Sequence, residues 1–509
     1  MTFAEYRQYD AIGLAQLIRD KQVSSDEVLQ AALNRLDEVN PKINLIAHDL
    51  RQRAFSEKFP KHPKAVLSGV PFLLKDLLCE WEKAPMCSGS TLMRDYVSNE
   101  NSVLTQAYVN AGLRIFGKTT LPEWGLMPYT ESRLHGITRN PYHLDYTSGG
   151  SSGGAAAAVA AGVVPIAHGG DGGGSIRLPA HNCGVFGLKP TRGRVATAGG
   201  EAWQGLVCEH VITRSVRDSA LMLDIAARTQ SHSLYRCPPP PVSLLRQNPR
   251  LGLPESELGV FSGSLKTELP RLKIAIHTQP WMGGETQAPI MRGLGRAMEI
   301  LEQAGHILVD GTPQFASAET LSRALLVLVS GEIAKYAYFF ERQMGKILTW
   351  RDVEPSTWAI LDLGKRIGAG EMAWARQIML AQQQVCEEFF REYDVLLTPV
   401  CPRTTPKVGE MSPNVLQNGL SNMLLGRLGL GGWFNTMVAS ESTKTFEYIG
   451  FTAPFNMSGS PAMSVPMSEH EGLPIGVQFV AAHGREDILL KLAAQIEQIQ
   501  PWADKQPNL

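Results

Sequence analysis

The sequence predicts an α/β fold in which strands and helices alternate and pack in layers, and three observations carry that expectation. Short apolar runs bounded by turn residues read as buried strands: Phe72–Leu74, Leu113–Phe116, Leu272–Ile276, Val395–Leu397, Met463–Val465 and Gly476–Ala481. Between and around them lie stretches with apolar residues at i, i+3, i+4 spacing, the signature of helices with one packed face. The composition, 44% hydrophobic and 19% charged over 509 residues, is that of a chain able to bury a large core.

The N-terminal helical pattern runs from Ala11 to Val39, with Leu14, Leu17 and Ile18, then Val28, Leu29, Ala32, Leu33 and Leu36, on packed faces. Ser24-Ser25-Asp26-Glu27 reads as an N-cap followed by an acidic first turn, and Asn40-Pro41 as the stop. Gly69-Val70-Pro71 is a turn into the strand that ends at Lys75. A helix ending near Gly112 leads into the strand Leu113–Phe116. Thr213–Asp218 caps a helix carrying Leu221, Leu223 and Ile225. Ser231–Glu268, with four successive prolines at Pro238–Pro241, is a loop excursion, and Ile290–Gly305 is a helix. Residues 316–440 read as mainly helical, with a glycine-rich piece at Gly419–Gly432, and Arg485–Ile499 as an amphipathic closing helix. No internal repeat and no domain boundary is visible, so a single domain over 1–509 is expected.

The chemistry points to one stretch, Thr147–Ala180, reading TSGGSSGGAAAAVAAGVVPIAHGGDGGGSIRLPA. Two glycine–serine knots, Gly149–Gly154 and Gly169–Ser175, flank an apolar run, Ala155–Ala167, which reads as one buried helix. Flexible linkers are also rich in Gly and Ser, but a linker would be polar on both sides, whereas these knots sit in apolar surroundings. Serines in closely approaching backbone, with free N–H groups beside them, suit acyl transfer: a hydroxyl attacks a carbonyl and backbone donors hold the oxyanion. Lys75 ends an apolar run with Leu77 and Leu78 behind it. It could snorkel outward to water or, if buried, lose its charge and serve as a base; the residues alone leave both open.

Two motif matches fail on context. Gly112–Thr119 fits GxxxxGK[ST] letter for letter, but its loop positions are strand formers and Leu121-Pro122 follows where a helix should, so nucleotide binding is not expected. Gly149-Gly-Ser151-Ser-Gly153 fits GxSxG, yet the preceding Asn140–Thr147 is polar and broken by proline rather than a core strand. A net charge of −1 offers no electrostatic footprint for nucleic acid. No run of 18 apolar residues could span a bilayer, and the N-terminus lacks the apolar core of a signal peptide. The 7 cysteines form no CxxC and suit a reducing cytoplasm; the 12 histidines show no HExxH and no close ligand clustering, so neither metal nor cofactor is expected.

With these residues read, the chain resembles the amidase signature family. The match rests on Gly149-Gly-Ser-Ser-Gly-Gly154, Asp171-Gly-Gly-Gly-Ser175-Ile-Arg177-Leu-Pro179 and Cys183-Gly-Val-Phe-Gly-Leu-Lys-Pro190, and is strongest over residues 66–228. Asn456–Pro461, Gly472–Gln478 and His483–Asp487 are similar to the family's C-terminal part. Within the family, Val353–Trp358 and the ending from Gly484 through Trp502 resemble the cyclic-dimer hydrolases of nylon oligomers.

The resemblance implies an α/β/α layered fold with a central mixed β-sheet and an amide-bond hydrolase using a Ser–cisSer–Lys triad. By motif position Ser175 is the nucleophile, Ser151 the bridging serine after a cis Gly150–Ser151 bond, and Lys75 the base. The N–H groups of Gly172, Gly173, Gly174 and Ser175 would form the oxyanion hole. Ser175 would pass its proton through Ser151 to neutral Lys75, which later returns one to the leaving amine. Bringing Lys75 from about 10.4 to near neutrality costs about 4 kcal/mol, with Leu73, Leu74, Leu77 and Leu78 as the desolvating neighbours. Ser152 is read as a helix N-cap and Asp171–Arg177 as a loop brace. Gly125, Leu126, Met127, Gly149 and Gly150, with side chains from the helical 316–440 region, would line the substrate pocket. Ala155, Thr120 and Gly170 depart from the commonest family pattern, and none of them is expected to touch the triad. The substrate implied is a small or oligomeric amide, without nucleic acid or membrane, and homo-oligomerisation is left open. The rivals are an amidotransferase-type glutaminase subunit, a carbamate or ester hydrolase on the same fold, and a silent scaffold.

Overall fold

The computed structural model describes residues 1–56, 65–197, 201–229, 233–238, 260–265, 267–412, 443–507 and 509. The first half contains α1 (Phe3–Tyr6), α2 (Ala11–Arg19), α3 (Ser25–Ile43), β1 (Ile46–Asp49), α4 (Arg51–Ser56), β2 (Pro71–Lys75), α5 (Val103–Asn110) and β3 (Arg114–Thr119). Four short strands follow: β4 (Glu131–Ser132), β5 (Gly136–Ile137), β6 (Arg139–Asn140) and β7 (His143–Thr147). The chain continues through α6 (Gly153–Ala160), β8 (Ile166–Asp171), α7 (Arg177–Cys183), β9 (Phe186–Lys189), β10 (Cys208–Thr213) and α8 (Val216–Ala227). The second half adds α9 (Val260–Ser264), β11 (Lys273–Ile276), α10 (Ala288–Gln303), β12 (Ile307–Asp310), α11 (Ala318–Met344), α12 (Pro355–Gly364) and α13 (Ala369–Phe389). It closes with β13 (Val395–Pro399), α14 (Ala453–Ser458), β14 (Ala462–His470), β15 (Leu473–Ala481) and α15 (Glu486–Ile499).

An 11-stranded mixed sheet runs in the order β1-β3-β2-β8-β10-β9-β14-β15-β13-β11-β12, with helices packed on it. β2 lies parallel to both β3 and β8, and β8 is antiparallel to β10. Parallel neighbours deliver their C-terminal ends to the same edge, so Lys75 at the end of β2 and Gly169–Asp171 at the end of β8 emerge together. Phe72, Leu73 and Leu74 are fully buried, each contributing roughly 1.5–3 kcal/mol. Together they exceed the roughly 4 kcal/mol needed to strip Lys75 of its charge, so the strand can carry a lysine inward.

The N-terminal cap stands: Ser24 Oγ accepts from Glu27 N–H while the Glu27 carboxylate accepts from Ser24 N–H. The expected stop at Asn40-Pro41 does not. α3 runs through Pro41 to Ile43 and ends at Asn44, which takes the left-handed conformation (φ 60°). Pro41 forgoes one amide bond, while fully buried Val39 and Ile43 keep the last turn packed. The single helix expected over Ala155–Ala167 is also corrected. α6 ends at Ala160 because Gly162 (φ 76°) closes a Schellman cap, with Val163 N–H donating to Ala158 C=O and Gly162 N–H to Val159 C=O. After Pro165 the remaining apolar residues form β8.

The strand preceding the first knot, β7, belongs to a separate two-stranded ribbon with β6 and alternates exposed and half-buried residues, so Gly149–Gly153 is not a hydrolase elbow on a core strand. Leu113–Thr119 of the apparent phosphate loop is almost wholly β3, buried at every residue. Within the expected excursion Ser231–Glu268, α9 is a short helix; most of the rest, and all of Gly419–Gly432, lie outside the described residues.

Candidate active site

Lys75 is 2% exposed, and its Nζ lies 2.7 Å from Ser151 Oγ, 3.0 Å from Ser152 Oγ and 3.3 Å from the Gly170 carbonyl. The Gly150–Ser151 bond is cis, as the resemblance implies. Position 150 tolerates only glycine: a Cβ there would sit 2.5 Å from Tyr129 N and 2.7 Å from Met127 O, both backbone atoms. The two knots are tied directly, Ser152 N–H donating to the Ser175 carbonyl at 3.2 Å.

The second knot is held by Asp171. Its carboxylate accepts from Gly174 N–H (2.8 Å), Ile176 N–H (3.2 Å) and the Arg177 guanidinium (2.9 Å), so it clamps the turn on both sides of Ser175. Arg177 in turn reaches Gln478 and Asn456, each at 2.6 Å. Thr452 Oγ1 donates to Gly173 C=O at 2.7 Å. Gly174 (φ 136°) lies where a side chain would be strained and would meet Thr452 Oγ1 at 2.4 Å. Ser175 itself is half-buried, and its hydroxyl makes no hydrogen bond to a described residue.

Lys75 and Ser151 meet as the resemblance implied, and Ser175 stands on the turn tied to Ser152, with no hydrogen bond from its hydroxyl to Ser151. A model of the amidase family matches residues 27–490. The chain belongs to the amidase family. It is 32% identical to the 6-aminohexanoate-cyclic-dimer hydrolase of Pseudomonas sp. (strain NK87), over 98% of this chain and 96% of that protein. It is 30% identical to the acylamidase of Rhodococcus erythropolis, over 100% of this chain and 98% of that one. The solved structure of 6-aminohexanoate cyclic dimer hydrolase complexed with substrate superposes with a TM-score of 0.84 at 29% identity, covering 99% of each chain. Amide-bond hydrolysis is therefore the reaction class of this amidase.

The amidase's electrostatics centre on Lys75. Burial pushes it down to about 7, against the opposing pull of the Glu209 and Asp171 carboxylates. Burial alone would raise Asp171, but the Arg177 guanidinium overturns that and holds it well below the usual carboxylate range. The pair is fully buried, so removing one partner leaves an uncompensated charge. Arg177→Met is expected to destabilise the protein by about 3–5 kcal/mol in urea unfolding. A loss below about 1 kcal/mol would mean that the clamp on the serine turn does not depend on the ion pair.

Several residue roles differ from the sequence expectation. Ser152 occupies the N-cap position of α6 without making a side-chain cap; its hydroxyl accepts from Lys75 Nζ and Gly170 N–H instead. Gly170, expected to stay clear of the triad, touches it through its carbonyl. Gly174 N–H is committed to Asp171, which leaves Gly172, Gly173 and Ser175 as the oxyanion donors to consider. Gly125 (φ 70°) lies against Ser151, where a Cβ would be 3.3 Å from its Oγ, and Leu126 packs against an apolar cluster that includes Trp124 and the α11 residues Ile333 and Ala337. Leu73 and Leu74 are fully buried and Leu77 and Leu78 half-buried, with Leu77 and Ser151 both lying against Gly125.

Sequence reading missed a polar layer beneath the lysine. Lys75 N–H donates to His168 Nδ1 (3.3 Å), and His168 Nε2 lies 3.3 Å from Glu209. Glu209 sits on β10 opposite Gly170, in a segment with no motif to flag it; only its place among apolar strand residues was a signal. The expectation of no close ligand clustering is also corrected, because the fold gathers His48, Asp76, Cys87 and His135 from separate stretches.

Proposed function

We propose that this amidase cleaves its substrate through an acyl-enzyme on Ser175, with Ser151 relaying the proton to Lys75. The observation that carries the reading is the 2.7 Å contact between buried Lys75 and Ser151, in a turn tied to Ser175. A lysine lowered to about 7 is half neutral at neutral pH, so it can accept a proton and return it to the leaving amine. Gly172, Gly173 and Ser175 N–H groups would receive the oxyanion, the turn being fixed in advance by Asp171 and Arg177.

The pocket reading places Gly125, Leu126, Met127, Gly149 and Gly150 beside the acyl group, within one amidase domain whose signature core is 66–228. The helix α11 supplies part of its wall in this reading, while residues 413–440 of the 316–440 region lie outside the described residues. Trp124 stacks on Phe340 of α11 (6.1 Å between ring centres) and lies 6.3 Å from Tyr336. Around the serine turn, Trp203 lies against Gly172 and Ile449 against Gly173. These apolar rims favour an amide with hydrocarbon on both sides of the scissile bond, as in a linear or cyclic amino-acyl oligomer or an acyl amide. The named relatives act on a cyclic dimer of 6-aminohexanoate and on acyl amides, which supports that substrate class. A cytoplasmic setting fits 7 cysteines that are all buried and unpaired.

Product release measured across cyclic amide dimers, linear oligomers, aryl amides and glutamine tests the reading. Turnover of the apolar amides well above glutamine is the expected result; glutamine as the best substrate would favour the amidotransferase-type alternative. A second expectation concerns pH. Activity should rise with pH through about 7 as Lys75 loses its proton. The Glu209 carboxylate favours the charged form of Lys75, so Glu209→Gln should move that limb to lower pH. A limb that stays in place or moves upward would remove Glu209 from the base's environment.

A further inference from the structure

His48 on β1, Asp76 directly after Lys75, Cys87 in the following loop and His135 between β4 and β5 meet at one point. Cys87 Sγ is 2.9 Å from Asp76 Oδ2, 3.0 Å from His135 Nε2 and 3.3 Å from His48 Nε2, and His48 Nε2 is 3.3 Å from Asp76 Oδ2. All four donor atoms lie within 4.8 Å of one another.

A hydrogen-bonded polar cluster is the plain alternative: the thiol can donate to Asp76, and imidazoles protonated on Nε2 can donate to the sulfur and the carboxylate. It crowds three contacts of 2.9–3.3 Å onto one sulfur, which is a weak acceptor. A single cation satisfies all four atoms at once. With bonds of about 2.0–2.3 Å in tetrahedral array, donor atoms stand roughly 3.3–3.6 Å apart. The His48 Nε2–Asp76 Oδ2 separation of 3.3 Å matches this, whereas Cys87 Sγ, at 2.9 Å from Asp76 Oδ2 and 3.0 Å from His135 Nε2, stands about 0.5–0.7 Å too close and must move outward when an ion enters. One thiolate, two imidazoles and one carboxylate form a set that suits zinc-class ions rather than calcium or magnesium, which take oxygen.

We propose that His48 Nε2, Asp76 Oδ2, Cys87 Sγ and His135 Nε2 form a site for one zinc-class divalent metal ion. The protein fills all four positions, so the site is structural rather than catalytic. It pins the end of β2 to β1, the loop at Cys87 and the β4–β5 turn, and so fixes the backbone next to Lys75. Two backbone donors, Cys87 N–H (3.0 Å) and Ser88 N–H (3.1 Å), orient Asp76 Oδ2. Lys118 Nζ lies 3.7 Å from the other oxygen, Oδ1, which is not one of the four donors. A thiol ligates a metal only as the thiolate, so binding releases the Cys87 proton to solvent and tightens as pH rises. The carboxylate and thiolate balance the two charges of the ion. His48, 17% exposed, marks the entry path.

The neighbouring trio Cys79, His168 and Glu209 does not qualify. Lys75 N–H occupies His168 Nδ1, which leaves the imidazole proton on Nε2, facing Glu209.

The proposal is independent of the hydrolase reading and is tested on full-length protein dialysed against a chelator. Titration with Co²⁺ should give one equivalent of binding, with a thiolate-to-cobalt charge-transfer band and the strong visible bands of four-coordinate cobalt. Zn²⁺ should displace it and raise Tm. Cys87→Ser should lose the charge-transfer band, and His135→Gln should keep it while weakening binding at least about 10-fold. The second variant decides if the first does not fold. No stoichiometric band in the wild type, a band that survives Cys87→Ser, or unchanged affinity in His135→Gln would overturn the assignment.

Discussion

Ser175→Ala lowers kcat/KM for amide hydrolysis by about 10⁵-fold while leaving Tm within about a degree of wild type. The two halves of this expectation have separate causes. Removing a nucleophile eliminates the covalent route, and what remains is binding and oxyanion stabilisation of water attack. Stability is spared because the Ser175 hydroxyl is half-buried and bonds no described residue; its backbone carbonyl, which holds Ser152 N–H, survives the change. Product release and thermal unfolding measured on the same preparation read both. A drop of less than about 10-fold would place the nucleophile elsewhere, with Ser151 the first position to try.

Lys75→Ala lowers kcat/KM by about 10³–10⁴-fold and abolishes the rise of activity through pH 7. It also changes how stability depends on pH, and the sign can be worked out. Folded Lys75 sits at about 7 and unfolded lysine near 10.4, so between those values the unfolded chain binds more protons. Stability contributed by this group therefore rises with pH across that window, by up to about 1.4 kcal/mol per pH unit, and is flat below it. The variant lacks this slope. Taking the difference between the two proteins isolates Lys75 from Lys118 and Lys189, which burial also lowers. Urea unfolding at pH 7 and pH 9 supplies the comparison. Equal slopes in both proteins would mean that Lys75 is charged throughout.

The glycine–serine turns of the candidate site were legible in the sequence for a physical reason, whereas Lys75 was left open by the residues and assigned only through the resemblance. Cradling a serine hydroxyl in turns that approach other backbone demands glycine, and a run of glycines with two serines is conspicuous against an apolar background. Gly150 beside Tyr129 N and Gly174 beside Thr452 show what the spacing was reporting. Asp171 and Arg177 were legible as a brace for the same reason: charges set in a buried turn must pair.

What the sequence hid was long-range or finely local. His168 and Glu209 meet because β8 and β10 are neighbours, a pairing that no local pattern encodes. His48, Asp76, Cys87 and His135 converge only once β1, β2 and the β4–β5 turn are in place. Ser152 looked like a cap because its position is a helix start, but Lys75 Nζ (3.0 Å) and Gly170 N–H (3.2 Å) occupy its oxygen instead of a helix amide. The helix over Ala155–Ala167 failed on a signal that was present, since Gly162 is where a left-handed cap would stand. Pro41 misled in the opposite direction, since a proline one turn from the end of a well-packed helix removes a single bond without ending it.

The most direct measurement is peptide mapping by mass spectrometry after treatment with a serine-directed phosphonate or sulfonyl fluoride. A single adduct on Ser175 in the wild type and none in Lys75→Ala is the expected result, because in the proposed mechanism the hydroxyl is nucleophilic only while the relay to the lysine is intact. An adduct on Ser151 in place of Ser175, or labelling of Ser175 that persists without Lys75, would contradict it.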